Sequence, residues 1–311
     1  MKLSFTLATL KAGRDRLAAI HIDGLFWPVA LAAEAAGVTV VPGGLFEYLQ
    51  IWEKAWPQIK RLAAKIERGA VPRELAIPAS RARLDTPVLL PRKVFCVGAN
   101  YQDHLDEMGA PSTLKKVKGV APFFFIKPGS TAVVGPGPTV HIPARCKDFD
   151  WEAEVVGVFC KRGRDIGQKD AMSFVAGYTL GIDFTARDQL MMPEHPFKFN
   201  FVLGKCQDAM TPVGPVFVPK EFVDGDRFEF SLSVNGVLKQ KACTKDMIYS
   251  LKEQIAGISQ AVTIEPGDLM LTGSPAGVGA PRGEKLKPGD VVIVQSGSTG
   301  AMTITVQGPP K

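Results

Sequence analysis

The sequence predicts an α+β fold that is rich in β-structure, and three observations predict it. Glycine (31) and proline (24) are plentiful among the 311 residues, which favours many turns over a helical bundle. From residue 93 onward, short runs of β-branched and aromatic residues recur between Gly and Pro positions, as strands do. In that region only KDMIYSLKEQIAGISQAV has clear helical periodicity. Many strands around one helix suggest a closed or rolled mixed sheet.

The elements follow in order. KLSFTLATL and RLAAIHI, with a turn at Gly13, read as a strand pair, and DGLFWPVA continues as a short strand. LAAEAAG and LFEYLQIWEKAWPQIKRLAAKIERG read as helices. In the second, Leu45, Leu49, Ile51, Trp52, Trp56, Ile59, Leu62 and Ile66 form one apolar stripe, and Gly69 ends it. Residues 70–92 contain prolines and lack helical periodicity. They mark the boundary between a small N-terminal α+β domain, residues 1–85, and a main domain, residues 86–311. In the main domain KVFCVGAN, PFFFIKP, DWEAEVVGVFC, VAGYTLGIDF, FEFSLSVNGVLKQKA, DLMLTGSP, DVVIVQSG and AMTITVQ read as strands. Asn235-Gly236 supplies the positive φ of a tight hairpin.

Composition excludes several classes. Net charge is +6, from 37 basic and 31 acidic residues scattered along the chain, and no basic-aromatic stripe suits a nucleic acid. The five cysteines, Cys96, Cys146, Cys160, Cys206 and Cys243, are odd in number and contain no CxxC. That argues against a disulfide framework or structural zinc and for reduced thiols in the cytoplasm. The N-terminus makes a poor secretory signal, and no run of about 18 apolar residues exists to span a membrane.

Four segments could carry chemistry. In DWEAEVVGV, alternation puts Glu152 and Glu154 on one strand face, roughly 7 Å apart. Asp183 ends a second apolar strand. Three convergent carboxylates suit Mg²⁺ or Mn²⁺, although an ExE pair alone fits a solvent-facing strand better. In NYQDHLDEMG, His104 and Glu107 become neighbours on a helical turn, as a general base and its orienting carboxylate require; an exposed turn is the alternative. Lys205, after an apolar run read as a strand, places an ammonium near an oxyanion or simply ends the strand in water. LTGSPAGVG follows a strand but is not a P-loop; its uses are a tight turn or backbone N–H donors, with Thr272 adding a hydroxyl.

Together these segments resemble the fumarylacetoacetate hydrolase family. VGANYQDHLDEMG, PFFFIKPGSTAVVGPG, DWEAEV, GYTLGIDFTARD, LGKCQDAMTPVGP, VNGVLKQ, IEPGDLMLTGSPAGVG and LKPGDVVIVQSGSTG occur in family order over about residues 93–306. The resemblance implies a mixed β-roll that binds Mg²⁺ or Mn²⁺, with Ca²⁺ in some members. It places the metal carboxylates on Glu152, Glu154 and Asp183, and the catalytic dyad, on a lid, on His104 and Glu107. Lys205 becomes the active-site lysine, and Tyr101 and Thr272 contact substrate. It implies a homodimer acting on a small acid, with no nucleic-acid or membrane partner.

The implied reaction is C–C cleavage of a 2,4-diketo acid (an acylpyruvate). Glu107 orients His104, which activates the attacking water, and the cation stabilises the leaving enolate. Decarboxylation, isomerisation or hydration of a related 2-oxo acid, in the breakdown of aromatics or sugar acids, is the alternative; a non-catalytic scaffold is the contrasting class. The sequence departs from the family pattern in four places. Ile182 replaces the usual Asn; TARDQL puts Leu190 where a substrate-facing glutamine is usual, with Gln189 one position early. About five extra residues lie around MMPEHPFKF, and Ser274 stands in TGSP.

Overall fold

A computed structural model describes residues 4–109, 116 and 120–309. The strand pair Thr6–Ala12 and Asp15–Ile22 forms as expected, followed by the strand Leu25–Pro28. Helix α1, Val29–Ala36, ends at Gly37, whose φ of 60° closes a left-handed cap. The expected long helix is two: α2, Leu45–Gln50, and α3, Trp52–Glu67, separated at Ile51 (φ −135°). Continuous apolar periodicity hid that break. The α3 stripe buries Trp52, Trp56, Ile59, Leu62 and Ile66.

These N-terminal strands do not form a separate sheet. Thr6–Ala12 pairs with Thr211–Pro219 through Leu7 and Phe217, and the sheet continues through Val175–Ile182, Ala153–Phe159, Leu269–Leu271, Lys93–Gly98 and Phe123–Pro128. One apolar cluster follows it: Trp52 and Trp56 of α3 pack with Val156, Val158, Phe217 and Leu269. Trp52 stacks on Trp56 at 5.1 Å and meets the edge of Phe217 at 5.7 Å.

The strand Thr211–Pro219 is absent from the sequence reading, because TPVGPVFVP carries three prolines and a glycine. It nevertheless runs through the middle of the sheet, fully buried. Its pairing with Val175–Ile182 is irregular between Tyr178 and Leu180, close to Pro215. Proline cannot donate to a ladder, so such an interruption accommodates it.

A second sheet runs in the order Val237–Cys243, Glu229–Val234, Val291–Ser296, Gly300–Gln307 and Thr139–His141. The hairpin at Asn235-Gly236 forms, both residues having positive φ. Between the sheets lies another apolar cluster, joined by Leu251, Ile255 and Ile258 of α7, Leu251–Ala261. Glu253 accepts from both the backbone and the hydroxyl of Ser250 to fix the start of α7.

Candidate active site

The site grows from one register. Ala153–Phe159 runs antiparallel to Val175–Ile182 with Ala153 opposite Ile182. Glu152, just before one strand, therefore faces Asp183, just after the other, and the Asp183 amide donates to the Glu152 carbonyl at 2.8 Å. Glu152, Glu154 and Asp183 are 6%, 2% and 1% exposed. Each offers an oxygen within 4.8 Å of the others. Convergence of the three carboxylates, expected from spacing, is what the structure shows.

These carboxylates belong to a chain of alternating buried charge. Lys127 Nζ donates to Asp183 Oδ1 at 2.6 Å, and Lys205 Nζ donates to Asp183 Oδ2 at 2.6 Å and Glu152 Oε2 at 2.7 Å. Arg187 Nη2 pairs with Glu152 Oε1 at 2.7 Å, and its Nε donates to Asp150 Oδ2 at 2.9 Å. Burial opposes the charge on Lys205, but Asp183 and Glu152 outweigh it and raise its pKa above the ordinary lysine value. Burial likewise works against ionised Glu152, yet Lys205 and Arg187 hold its pKa below the usual range.

Glu154 differs. Burial, and then the neighbouring Asp183 and Glu152, push its pKa well above the usual value. Its carboxylate accepts a hydrogen bond from the Gly273 amide rather than from a cation. Gly273 (φ 103°) is needed for that approach, since a Cβ there would lie 2.6 Å from Asn100 Cβ. An all-oxygen donor set with one carboxylate lacking compensation fits a hard divalent cation, Mg²⁺, Mn²⁺ or Ca²⁺. The oxygens of Glu152 and Asp183 already face cationic side chains, but each carboxylate oxygen has a second lone pair to share.

His104 sits on α4, Gln102–Glu107, and lines the cavity with Glu152, Asp183 and Lys205. Its Nδ1 lies 3.0 Å from Glu107 Oε1. Glu107 accepts from the Gly277 amide at 3.0 Å and pairs with Arg282 at 3.1 Å. Burial works to raise the Glu107 pKa, but the bonds from His104, Gly277 and Val278 lower it overall. The backbone N–H donors expected of the Gly-rich loop thus serve the dyad as well as Glu154.

Two residues expected to contact substrate, Thr272 and Tyr101, are not among those lining this cavity. Thr272 is 1% exposed, does not line the cavity, and gives its hydroxyl to the Val155 carbonyl at 2.9 Å. Its position directly after the strand Leu269–Leu271 makes it part of the ladder. Tyr101 is also 1% exposed and outside the cavity lining; its buried hydroxyl has no hydrogen-bond partner among the described residues. Lys205 ends a short helix, α6 (Phe201–Lys205), not a strand. Asn200 caps α6 through the Leu203 amide.

The family departures have structural outcomes. Gln189, on α5 (Arg187–Leu190), donates to the Ala144 carbonyl at 2.9 Å. Leu190 is buried against Gly204, where an added Cβ would lie 2.4 Å from the Leu190 Cβ. This position therefore packs α5 on α6 instead of reaching into the cavity. Ser274 lines the cavity, its hydroxyl accepting from Gln240 at 2.8 Å.

Sequence reasoning missed Lys127, Arg187 and an aromatic wall. The cavity, about 190 Å³, is walled by Phe123, Phe125 and Phe201. Alternation along PFFFIKP held the signal, since it puts Phe123, Phe125 and Lys127 on one strand face.

The fold and acidic cavity define an enzyme class in which a mixed β-roll carries an oxygen-lined site at its strand ends. Residues 93–307 match the family model for the fumarylacetoacetate (FAA) hydrolase C-terminal region, and the chain belongs to the fumarylacetoacetate hydrolase family. It is 33% identical over 310 residues to the oxaloacetate tautomerase FAHD2A, mitochondrial, of Homo sapiens, covering 91% of this chain and 95% of that one. It is 39% identical over 216 residues to the mitochondrial oxaloacetate decarboxylase of Dictyostelium discoideum, covering 68% and 91%. A solved fumarylpyruvate hydrolase from Pseudomonas aeruginosa, in complex with Mn²⁺ and pyruvate, is similar at TM-score 0.61 and 31% identity, over 71% of this chain and 91% of that one.

Proposed function

We propose that this chain moves a proton at the carbon beside the 2-oxo group of a small 2-oxo acid, interconverting enol and keto forms. One observation carries the reading: His104, its Nδ1 engaged by Glu107, lines the same cavity as Glu152 and Asp183. Nε2 is then the ring nitrogen left to take and return a proton. The relatives named oxaloacetate tautomerase and decarboxylase support this, since both reactions involve the enol of a 2-oxo acid. Oxaloacetate is the first substrate to test.

Glu152, Glu154 and Asp183 would hold a divalent cation, Mg²⁺ or Mn²⁺, which when bound supplies a Lewis acid to the substrate oxygens. Lys205 adds a fixed positive charge at the same floor rather than a proton, because its carboxylate partners keep it protonated. Glu107 stays ionised and stabilises the imidazolium that His104 becomes. Phe123, Phe125 and Phe201 exclude water from one side. His104→Ala should lower kcat by roughly 10²–10⁴-fold and leave metal affinity unchanged by calorimetry. An unchanged kcat removes His104 from this role.

A second reading is hydrolysis of a 2,4-diketo acid. The Pseudomonas neighbour, a hydrolase holding Mn²⁺ and pyruvate, favours it. The same His–Glu geometry would then deprotonate a water that attacks the 4-oxo carbon and breaks C3–C4. Release of pyruvate from an acylpyruvate separates the two reactions.

The proposal includes a homodimer in the cytoplasm, working on a free small acid without a nucleic-acid or membrane partner. The five cysteines are unpaired, and no helix among the described residues is long and apolar enough to cross a membrane. We also propose a division of labour: residues 86–311 supply the site, while residues 1–85 brace its back.

A further inference from the structure

We infer that the group beside the 2-oxo carbon of the substrate is flat and apolar, an aryl group, rather than a second carboxylate. This rests on the 2-oxo acid reading above and narrows it. The cavity has two unlike sides. Its cations, Lys205 and Arg187, both pair with Glu152 at 2.7 Å, so the charged groups, with the carboxylates that would hold a cation, are concentrated on the floor. There the acid end of a 2-oxo acid finds its partners.

The facing side is a set of rings. Phe201 lies 5.5 Å from Phe123 and 5.2 Å from Phe125, centroid to centroid. Phe199 extends the set, edge-on to Phe201 at 5.6 Å. Lys205 Nζ sits 5.7 Å from the Phe125 centroid, which fixes where floor gives way to wall. Phe123 is 54% and Phe199 52% exposed, so the ring set continues outward to solvent.

Oxaloacetate carries a carboxylate on the carbon beside its 2-oxo group. Against these rings that carboxylate would lose water and, among the described residues of the wall, find no side-chain hydrogen bond, which is costly. An aryl group there gains apolar burial and ring–ring contact instead. Phe199 ends the extra residues noted in the sequence and Phe201 lies two positions beyond, so the insertion adjoins one end of the wall. At about 190 Å³ the cavity is smaller than the roughly 300–1,000 Å³ of drug-sized sites, which suits a compact ligand. The reaction stays balanced: the enolic O–H breaks, a C–H bond forms on the neighbouring carbon, and no redox partner is needed.

Phenylpyruvate and oxaloacetate share a 2-oxo acid core and differ at that carbon, phenyl against carboxylate. Binding of each to the Mn²⁺-loaded protein is measured by calorimetry, and enol–keto conversion by loss of enol absorbance. Phenylpyruvate should bind about tenfold or more tightly. Phe201→Leu, which preserves apolar packing, should narrow the preference, and Phe123→Arg at the exposed mouth should shift it towards oxaloacetate. Equal or tighter binding of oxaloacetate, or a ratio that Phe123→Arg leaves unmoved, overturns the inference. Preference for phenylpyruvate without conversion of either acid overturns only the proton-transfer reading. Conversion of oxaloacetate without a phenyl preference overturns only the aryl assignment. Failure of both acids to bind overturns both.

Discussion

The strand Ala153–Phe159 is buried along its whole length, but its two ends are buried by opposite means. Val156 and Val158 join the apolar cluster under Trp52 and Trp56. Glu152, just before the strand, enters the charge chain that runs from Lys127 to Asp150, and Glu154 lies beside that chain, held by the Gly273 amide. Apolar contacts are non-directional, so the first region is a sum of small gains. In the second, each charge is tolerable only because its neighbours are present. One region should fail gradually and the other abruptly.

Lys205→Met is the strongest way to break the charged end. Removing one member of a buried ion-pair set costs about 3–5 kcal/mol, read from denaturant unfolding of the metal-free protein. Added Mg²⁺ or Mn²⁺ should restore part of that loss. Trp56→Ala should cost a similar 3–5 kcal/mol or so, but added metal should restore none of it beyond the gain seen in wild type. Equal rescue of both variants would erase the distinction between the ends.

A smaller effect follows from Glu154. Its pKa is raised, so the folded metal-free protein keeps a proton there at pH values where an unfolded chain has lost it. Stability of the metal-free form should fall as pH rises from the ordinary glutamate value through the raised one. Cation binding must displace that proton, so affinity should climb over the same interval. Calorimetry in two buffers of different ionisation enthalpy measures the released proton, and Glu154→Gln should abolish the release. Smallest is Ile59→Val, about 0.5–1.5 kcal/mol with no metal or pH dependence, measured by denaturant unfolding.

Much of this contrast was legible in sequence. Alternation placed Glu152 and Glu154 together, an apolar run led to Asp183, and a three-residue spacing joined His104 to Glu107. Those signals survive because strand and helix periods are fixed by the backbone. Two others were obscured. The prolines of TPVGPVFVP masked a central strand, since an irregular ladder cannot be read from composition. Arg187 and Lys127 were not singled out, because only tertiary pairing with Asp150, Glu152 and Asp183 explains their burial. Thr272 sat in the right loop, yet its hydroxyl belongs to Val155. Position in the loop does not reveal that backbone partner.

The pairing of Ala153 with Ile182 makes the site a matter of counting. Side chains alternate faces with a period of two, so sliding either strand by a single residue would move its carboxylates off the shared site. Every functional residue would still be present in the chain, and the chemistry would be gone. Residues 160–174, which connect these strands, carry none of the three carboxylates, and they are anchored elsewhere, by the bridge of Gly163 to Ile264 and by Ile166 and Ala171 in the core. The alignment of the site therefore rests on the hydrogen bonds between the strands and not on the length of the connection alone.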